Sequence, residues 1–258
     1  MIKSIIITGA GSGIGRSLAI QLADQNIHVL AIGRRISALQ ETASHNPQKI
    51  KFLSADVSHE EELNNIHSMS ENLPLPLGIF HGAGVYQINK LSEISMENWQ
   101  SSFNINVTAR LALTQKLLPR LPQGRVLFIG SDAAKNIRLG ASTYSIAQAA
   151  SQTLAEALKL ELKQQNISVT AFKPGLVETD MVKTFIQAPT EIFPAVEEYK
   201  NIIATGKLST AETVASFAKW LLLNTSDQDF SEKLWDIREE WHHKHWLKGS
   251  LYGKSDTP

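Results

Sequence analysis

The sequence predicts a doubly wound α/β fold, in which helices cover both faces of a parallel sheet. Short apolar runs alternate along the chain with longer segments of helical periodicity, which is the pattern of successive βαβ units. The first run, at residues 4–8, leads at once into a glycine-rich turn. The 258 residues, 43% of them hydrophobic, can bury one substantial core. We therefore expect a single domain over residues 1–258.

Seven strands are predicted, each short, apolar and bounded by turn or helix signals. They are placed at residues 4–8, 28–33, 51–54, 78–81, 125–130, 168–173 and 233–237. The two longest helices are predicted at residues 98–118 and 143–165, where apolar residues recur at intervals of three and four. Pro119 and Pro122 end the first of them. Both helices are candidates for packing against a second subunit.

Two segments near the C-terminus depart from this alternation. Residues 181–206 show no clear periodicity and contain three prolines or glycines, which predicts a mobile lid that determines substrate specificity. Residues 238–258 form a tail in which three histidines lie between Trp241 and Trp246. The histidines could indicate a metal site, but adjacent side chains do not converge tetrahedrally unaided. We favour a helical tail whose tryptophans pack on the body or on a neighbouring subunit, with no metal.

Charge and cysteine content narrow the class of partner. The chain has 25 basic and 25 acidic residues, and neither sign forms a long run. We therefore expect a small-molecule partner, and no nucleic acid or membrane. The lack of cysteine excludes a disulfide, a thiolate nucleophile and a cysteine-based zinc site. The isoleucine run at residues 5–7 is too short for a signal peptide or a membrane span, so a cytoplasmic location is expected.

The turn at residues 8–15 follows the first strand and leads into a helical run. Glycine permits positive φ and lets the backbone approach a pyrophosphate without an intervening Cβ. The next helix presents unpaired N–H groups and the positive end of its dipole. Gly9, Gly13 and Gly15 are assigned these functions, which predicts a Rossmann-type dinucleotide site. The alternative is a tight strand-to-helix turn without a ligand.

The second predicted strand ends at Gly33, Arg34 and Arg35. NAD-binding sites usually carry an acidic residue at this place, where it binds the ribose hydroxyls. An acid would repel a 2′-phosphate, whereas a guanidinium offers donors that match phosphate oxygens. We therefore expect NADP rather than NAD, with Arg34 as the stronger candidate. The alternative is that both arginines are solvated surface charges.

Further motifs identify a family resemblance. The T-G-x-x-x-G-x-G motif at residues 8–15, with Ser131 and Tyr144 thirteen residues apart, resembles the short-chain dehydrogenase/reductase family. The likeness extends from residue 5 to about residue 218. It implies that Ser131 orients a substrate carbonyl, that Tyr144 transfers the proton and that Asn106 holds a water in the proton relay. It also implies a homodimer or homotetramer, because long helices of this kind form a four-helix interface in the family.

The resemblance also implies where the cofactor binds. Asp56 and Val57 correspond to the adenine-contacting pair after the third strand, and residues 174–179 to the segment that holds the nicotinamide carboxamide. With the two arginines, the expected cofactor-binding set is Thr8, Gly9, Gly11, Ser12, Gly13, Ile14, Gly15, Arg34, Arg35, Asp56, Val57, Gly82, Ala83, Gly84, Pro174, Gly175, Val177 and Thr179.

The turn after the fourth strand departs from the family pattern. The family has N-N-A-G, whereas this chain has His81 followed by Gly82, Ala83 and Gly84. The small residues are kept, so the ribose can still approach. His81 could be a catalytic base, but a histidine that ends a buried strand is more often a satisfied polar residue, and we favour that interpretation.

A more severe departure lies four residues after Tyr144, where the family's Y-x-x-x-K motif has lysine and this chain has Gln148. Positions i and i+4 share a helix face, so a lysine there lowers the pKa of the phenol and binds the nicotinamide ribose. Glutamine retains donors for the ribose but supplies no charge. The loss affects alcohol oxidation, in which Tyr144 must act as a base, more than carbonyl reduction, in which a neutral phenol is the donor.

Two functions therefore stay open. The favoured one is an NADP(H)-dependent oxidoreductase that reduces a small-molecule carbonyl to an alcohol by hydride transfer. The alternative is a cofactor-binding protein that acts as a sensor or scaffold because Gln148 impairs catalysis. Sequence alone does not show whether Lys135 or Lys159 replaces the missing charge. Loss of cofactor binding altogether is the third possibility, and the intact glycine turn argues against it.

Overall fold

A computed structural model describes residues 1–253, and this part of the chain folds around a seven-stranded sheet. The strands are β1 (Ser4–Thr8), β2 (His28–Gly33), β3 (Ile50–Ser54), β4 (Leu77–His81), β5 (Arg125–Ile129), β6 (Ser168–Lys173) and β7 (Trp235–Asp236). Their order is β3-β2-β1-β4-β5-β6-β7, and every neighbouring pair is parallel. The predicted fold class is confirmed.

Helices connect the strands. They are α1 (Gly13–Ala23), α2 (Ile36–Ser44), α3 (Glu60–Ser70), α4 (Met96–Phe103), α5 (Ala109–Leu117), α6 (Ser142–Leu162), α7 (Asp180–Ile186), α8 (Val196–Ala204), α9 (Ala211–Asn224) and α10 (Asp227–Glu232). Shorter 3-10 turns lie at Leu118–Arg120, Asp132–Ala134, Lys163–Gln165 and Glu240–His245. In the described residues, no helix is long and apolar enough to cross a membrane.

The alternation of side chains along β1 divides the core into two layers. Ile5 and Ile7 point to the face covered by α1, α2 and α9, whereas Ile6 points to the face covered by α3, α5 and α6. All three isoleucines are fully buried. Because a buried parallel strand is covered on both faces, an unbroken apolar run is the pattern that it requires.

The two long predicted helices are present with small changes. The first begins at Met96 rather than at residue 98, because the Ser95 side chain accepts a hydrogen bond from the backbone N of Asn98 at 3.1 Å. A π-helical segment, Asn104–Thr108, joins α4 to α5. The second runs through α6 and ends where Asn166 adopts a left-handed conformation, with φ of 55°.

The last strand is shorter than the predicted residues 233–237. β7 contains only Trp235 and Asp236, which pair with Phe172 and Lys173 of β6. β7 lies at the edge of the sheet and pairs with β6 alone, in a hydrogen-bond ladder of only two residues.

Residues 181–206, predicted to be a mobile lid, contain helices that the sequence pattern did not show, and the role as a lid stays a prediction. This stretch contains α7 and α8, and its buried side chains form a cluster of their own around Phe185 and Phe193. The apolar residues pack on each other rather than along one helical stripe, so the sequence shows no single 3.6-residue periodicity.

The C-terminal tail packs on the body, as favoured from the sequence. Trp246 is buried and its Nε1 donates to Nδ1 of His242 at 2.8 Å, while Nε2 of His242 bonds the carbonyl of Asp236 at 2.9 Å. Trp241 is half exposed. Within residues 1–253, no cluster of three or more histidine or acidic side chains is arranged to hold a metal. Residues 254–258 of the predicted tail lie outside the described part.

Candidate active site

The carboxyl ends of β1 and β4 form the floor of the site. These adjacent strands are connected to helices on opposite faces of the sheet, so the chain leaves a crevice where the strand order reverses. A cavity of about 1000 Å³ opens at this point. It is large enough for a dinucleotide and a small substrate side by side.

The glycine-rich turn packs directly against the turn after β4. Gly9 has φ of +73°, and a Cβ added to it would lie 2.8 Å from the carbonyl carbon of Gly82. Gly13 has φ of +51°, and its added Cβ would lie 3.2 Å from the methyl group of Thr179. Both positions have a backbone conformation that favours glycine, and Gly9 also lacks room for a side chain. Such a bare backbone concavity before the N-terminus of α1 fits a pyrophosphate.

Thr8 fastens the two turns together. Its Oγ1 accepts hydrogen bonds from the backbone N of Gly82 and of Ala83, both at 3.1 Å, and donates to the carbonyl of Phe80 at 3.3 Å. The side chain is buried beneath the cavity rather than exposed in it. Thr8 thus holds the backbone of the turn after β4 in place without lining the cavity itself.

The other residues predicted for the cofactor converge on the cavity. Gly9, Gly11, Ser12, Gly13, Ile14, Gly15, Arg34, Arg35, Asp56, Val57, Gly82, Ala83, Gly84, Pro174, Gly175, Val177 and Thr179 all line it. Among the predicted catalytic residues, Ser131, Tyr144 and Gln148 line it as well. Of the predicted site residues, Thr8 and Asn106 are behind the wall.

Arg34 and Asp56 meet at the end of the cavity formed by β2 and β3. The Arg34 side chain is 67% exposed, and its Nη1 lies 3.9 Å from the Asp56 carboxylate. Burial raises the pKa of Asp56, but hydrogen bonds from Ser58 and the charge of Arg34 outweigh it and bring the pKa below its usual value. This contact is too long for a strong hydrogen bond, so the guanidinium donors are available to a ligand.

Asn106 lies in the π-helical segment and is fully buried. Its Oδ1 accepts from the backbone N of Val85 at 3.1 Å, and its Nδ2 donates to the carbonyl of Val85 at 3.0 Å. The amide therefore pairs with the backbone that follows the Gly82–Gly84 turn. Single-turn π segments occur often at functional sites, and here one places an amide against a cavity wall. The expected water-holding role of Asn106 stays a prediction.

Ser131 and Tyr144 come together although they belong to different elements. Ser131 follows β5, and its Oγ accepts from the backbone N of Ala133 at 3.1 Å. Tyr144 lies in the first turn of α6 and is buried. Burial raises the pKa of the Tyr144 phenol, while hydrogen bonding with Ser131 and the charge of Arg110 lower it; the pKa stays above its ordinary value. Tyr144 is therefore a neutral phenol at physiological pH.

Comparison with known proteins agrees with this geometry. The family described as short chain dehydrogenase matches residues 3–189. The chain belongs to this family. An uncharacterized oxidoreductase of Staphylococcus aureus (strain MRSA252) is 28% identical over 188 residues, which is 71% of this chain and 81% of that protein. As a short-chain dehydrogenase, the protein is an oxidoreductase that uses a nicotinamide cofactor.

Solved structures share the fold. A short chain dehydrogenase/reductase from Saccharomyces cerevisiae has a TM-score of 0.83 at 20% identity, covering 92% of this chain and 96% of its own. The L-sorbose reductase of Gluconobacter frateurii, solved with NADPH and L-sorbose, has a TM-score of 0.78 at 20% identity, covering 91% of this chain and 94% of its own.

Gln148, at the position where the family resemblance implies a lysine, is buried. Gln148 lies one turn after Tyr144 on α6 and is 3% exposed, and its Oε1 has no hydrogen-bond partner among the described residues. An unpaired buried acceptor that faces a cavity is suited to a ligand hydroxyl. Lys135 is exposed and Lys159 pairs with Glu156, and neither is part of the cavity wall.

His81 is a satisfied polar residue, as favoured from the sequence. It is 1% exposed, and its Nε2 lies 2.9 Å from Oγ1 of Thr114. Because the Thr114 hydroxyl donates to the carbonyl of Arg110, the His81 Nε2 must be the donor. Burial, with a smaller contribution from the charge of Arg110, lowers the pKa of His81 well below its ordinary value. The ring is therefore neutral, and its Nε2 is engaged by Thr114.

Aromatic side chains that the sequence analysis did not identify form one wall of the cavity. The Tyr86 ring centroid lies 4.5 Å from that of Tyr144 and 5.1 Å from that of Phe185, and Phe185 lies 4.7 Å from Tyr199. Phe193 closes the group from behind, with no exposed surface. These residues come from the loop after β4 and from residues 180–204, so no local sequence signal links them.

Arg138 joins this wall to the loop that carries Ser131. It is paired with Glu198 of α8 at 2.7 Å, and its guanidinium carbon lies 5.1 Å from the centre of the Tyr199 ring. The ion pair and the cation–π contact connect α8 to the segment that precedes α6, at the opening of the cavity.

Besides Arg138, the sequence analysis did not identify Arg110 as a residue of the cavity. Arg110 on α5 is 4% exposed and lines the cavity beside Tyr144 and Gln148. The available signal was a single cation one helical turn after Asn106, on the same face of an otherwise apolar stretch. Its burial could not be read from the sequence, because arginine is usually exposed.

Proposed function

We propose that this short-chain dehydrogenase reduces a small-molecule carbonyl to an alcohol with NADPH, with Tyr144 as the proton donor. One observation favours reduction over alcohol oxidation. Tyr144 is a buried, neutral phenol beside Ser131, in the wall of the cavity that the expected cofactor-binding residues line. A neutral phenol is ready to donate a proton, whereas alcohol oxidation requires a phenolate that burial disfavours.

The residues present fit the cofactor. The glycine turn and the N-terminus of α1 are suited to the pyrophosphate, Arg34 to a 2′-phosphate, and the unpaired Oε1 of Gln148 to a ribose hydroxyl. When bound, the reduced nicotinamide supplies a hydride. The Ser131 hydroxyl orients the carbonyl oxygen, and Tyr144 Oη gives that oxygen its proton.

The substrate is expected to carry an apolar or aromatic group beside its carbonyl. Tyr86, Phe185 and Tyr199 face the cavity next to Tyr144, and they present ring surface rather than charge. Arg138 is engaged with Glu198, so it supports the wall instead of offering a free cation. A bulky aryl ketone therefore fits this wall better than a sugar or a carboxylate.

A titration and a substrate panel test the proposal. Purified protein is titrated with NADPH and with NADH by cofactor fluorescence, and then assayed for NADPH oxidation with ketones, aldehydes and diketones. We expect tighter binding of NADPH than of NADH, and turnover that Tyr144→Phe abolishes. No turnover across a broad panel contradicts the reductase assignment.

A second candidate function is a catalytically silent cofactor-binding protein. The neutral Gln148 beside Tyr144 favours it, because the family's charge is missing at that position. Strong NADPH binding without turnover, combined with activity gained on Gln148→Lys, supports this function over the first. For either function we propose a homodimer or homotetramer built on the two long helices, where the side chain of Leu160 on α6 is 74% exposed.

A further inference from the structure

Arg110 is a buried cation without an acidic partner. Its Nη1 donates to the carbonyl of Ile129 at 3.0 Å and to Oγ of Ser151 at 2.8 Å, and its Nη2 approaches the carbonyl of Ala83 at 3.4 Å. All three acceptors are neutral. Across residues 1–253 no carboxylate lies within ion-pairing distance of it. A buried guanidinium is normally paired with an acid, because removing a charge from water is costly.

The three hydrogen bonds fix the guanidinium beside the reacting groups. Ala83 belongs to the turn after β4, Ile129 ends β5 two residues before Ser131, and Ser151 lies on α6. Ser151 is seven residues after Tyr144, so both lie on the same face of the helix. The guanidinium therefore lies between the carboxyl ends of β4 and β5 and the face of α6 that carries Tyr144. It is part of the wall of the same cavity.

Gln148 lies between Tyr144 and Ser151 on that face and brings no charge. Its buried Oε1 lacks a hydrogen-bond partner among the described residues, and so does Nε of Arg110. The lysine that the family has at position 148 would provide both a hydroxyl-binding group and a positive charge. In this chain a neutral amide occupies that position, and the charge lies on the neighbouring helix.

We propose that Arg110 supplies the positive charge that stabilises the ionised form of Tyr144, and that Gln148 retains only the hydroxyl-binding part of the lysine's role. Arg110 is then a positioning residue that acts through Tyr144. This inference rests on the proposed reductase function. When the Oη–H bond of Tyr144 breaks and the proton passes to the carbonyl oxygen, a phenolate remains beside the guanidinium until water reprotonates it.

The surrounding charges agree with this role. Burial lowers the pKa of Arg110, but a guanidinium in a protein keeps its charge throughout the pH range in which tyrosines titrate. Tyr86 and Tyr199 also face Tyr144, and burial raises the pKa of each, so both are neutral. His81, on the far side of Arg110, is neutral as well. Within the described residues, the positive charge acting on Tyr144 is that of Arg110.

The test measures ionisation of Tyr144 without cofactor or substrate. Protein labelled with ¹³C at tyrosine Cζ is titrated by NMR, and Tyr144→Phe assigns the signal among the four tyrosines. Arg110→Lys keeps the charge, whereas Arg110→Gln keeps a donor but loses the charge. Arg110→Met provides a second neutral variant. We expect the Tyr144 midpoint to rise by about one pH unit or more in the neutral variants and to change little in Arg110→Lys.

Gln148→Lys provides a matched rescue. In the Arg110→Gln background, a lysine at position 148 restores the charge one turn from Tyr144, so the midpoint returns towards that of the wild type. With a substrate from the panel, kcat is expected to fall about tenfold or more in Arg110→Gln, to recover in the double variant, and to change more than KM.

Three results overturn the inference. They are a Tyr144 midpoint that is the same in Arg110→Gln and the wild type, equal shifts in the lysine and glutamine variants, and a wild-type phenol that stays protonated until the protein unfolds in alkali. A different set of results is expected if the proposed reductase function is wrong and the inference about Arg110 is correct. In that case the midpoint still depends on the charge at position 110, while no carbonyl compound is reduced by any variant.

Discussion

We propose that the preference for NADPH over NADH depends on Arg34. Its guanidinium is mostly exposed at the end of the cavity, with a loose contact to Asp56. Replacing it by alanine removes donors for a 2′-phosphate and leaves the rest of the cradle intact. We expect Arg34→Ala to weaken NADPH binding about tenfold or more, since a charged hydrogen bond contributes about 1.5–3 kcal/mol.

NADH is the internal control for this prediction, because it has no 2′-phosphate. Its affinity for Arg34→Ala is expected to equal that for the wild type, as measured by cofactor fluorescence. Arg35→Ala, at the next position, shows whether the second arginine contributes. Equal loss of both cofactors would mean that Arg34 supports the turn rather than the phosphate.

Thr8 contributes to the site through the backbone of another turn. Thr8→Val keeps the shape of the side chain but removes the acceptor for the N–H groups of Gly82 and Ala83. We expect the free energy of unfolding to fall by about 1–3 kcal/mol, because these donors lose their partner. NADPH binding should weaken in parallel. Chemical denaturation and the titration measure the two effects, and Thr8→Ser, which keeps the hydroxyl, should behave like the wild type.

The candidate site residues could be proposed from the sequence where a local motif or a fixed spacing marks them. The glycine turn was identified because it follows the first strand and precedes a helical run, and Ser131 and Tyr144 because their thirteen-residue spacing resembles that of the family. Arg110 was not found, because its effect depends on burial between α5 and α6. Tyr86 was not found for a similar reason, since its partners Phe185 and Tyr199 are about a hundred residues away.

Among the elements, α7 and α8 are the helices that the sequence pattern did not show. Their stability comes from a small separate cluster, in which Phe193 contacts the rings of Tyr86, Phe185 and Tyr199. Several short apolar runs that meet in space give no single period, so the helices were not visible as such. The π-helical segment at Asn104–Thr108 could not be recognised in the sequence either. An extra residue in one turn barely changes the apolar periodicity of a long helix.

Phe193→Ala is predicted to loosen this pair selectively. The substitution leaves a cavity beside three rings, with a cost of about 3–5 kcal/mol that falls on a local cluster. Amide hydrogen exchange in residues 180–204 should become faster while the central strands stay protected, and KM for a bulky ketone should rise. Phe230→Ala removes an equally buried ring from the other core and is the matched control. Faster exchange of residues 180–204 in both variants would argue against a separate unit.

At the scale of the whole molecule, the reversal of strand order between β1 and β4 explains why distant motifs share one cavity. The turn at residues 8–15, the turn at residues 81–84 and the segment at residues 174–179 all follow the carboxyl ends of strands. In a parallel sheet these ends lie at one edge, so correct strand prediction was enough to bring the motifs together. The wall formed by α7 and α8 lies beyond the strands, and strand order says nothing about it.

Asp236 connects the edge of the sheet to the loop that carries Ser131. Its carboxylate accepts from Nε of Arg238 at 2.8 Å and from Nη2 at 2.6 Å, and it pairs with Lys173 at 2.7 Å. The Nη2 of Arg238 also reaches Asp132, the residue after Ser131, at 2.8 Å. Burial raises the pKa of Asp236, but the hydrogen bonds from Arg238 and Lys173 outweigh it and hold the pKa well below its usual range.

Asp236→Asn is therefore expected to destabilise the whole molecule at neutral pH, by about 1–3 kcal/mol. Because the folded-state pKa is lower than that of the unfolded chain, the carboxylate stabilises the fold above about pH 4 and loses this effect as the pH falls further. The difference in melting temperature between wild type and variant should thus be largest near pH 7 and shrink below pH 4. Asp180→Asn, whose carboxylate is exposed beside Lys183, should show little difference at any pH. A difference for Asp236→Asn that stays constant down to pH 2 would mean that packing, rather than the ionised carboxylate, holds this edge.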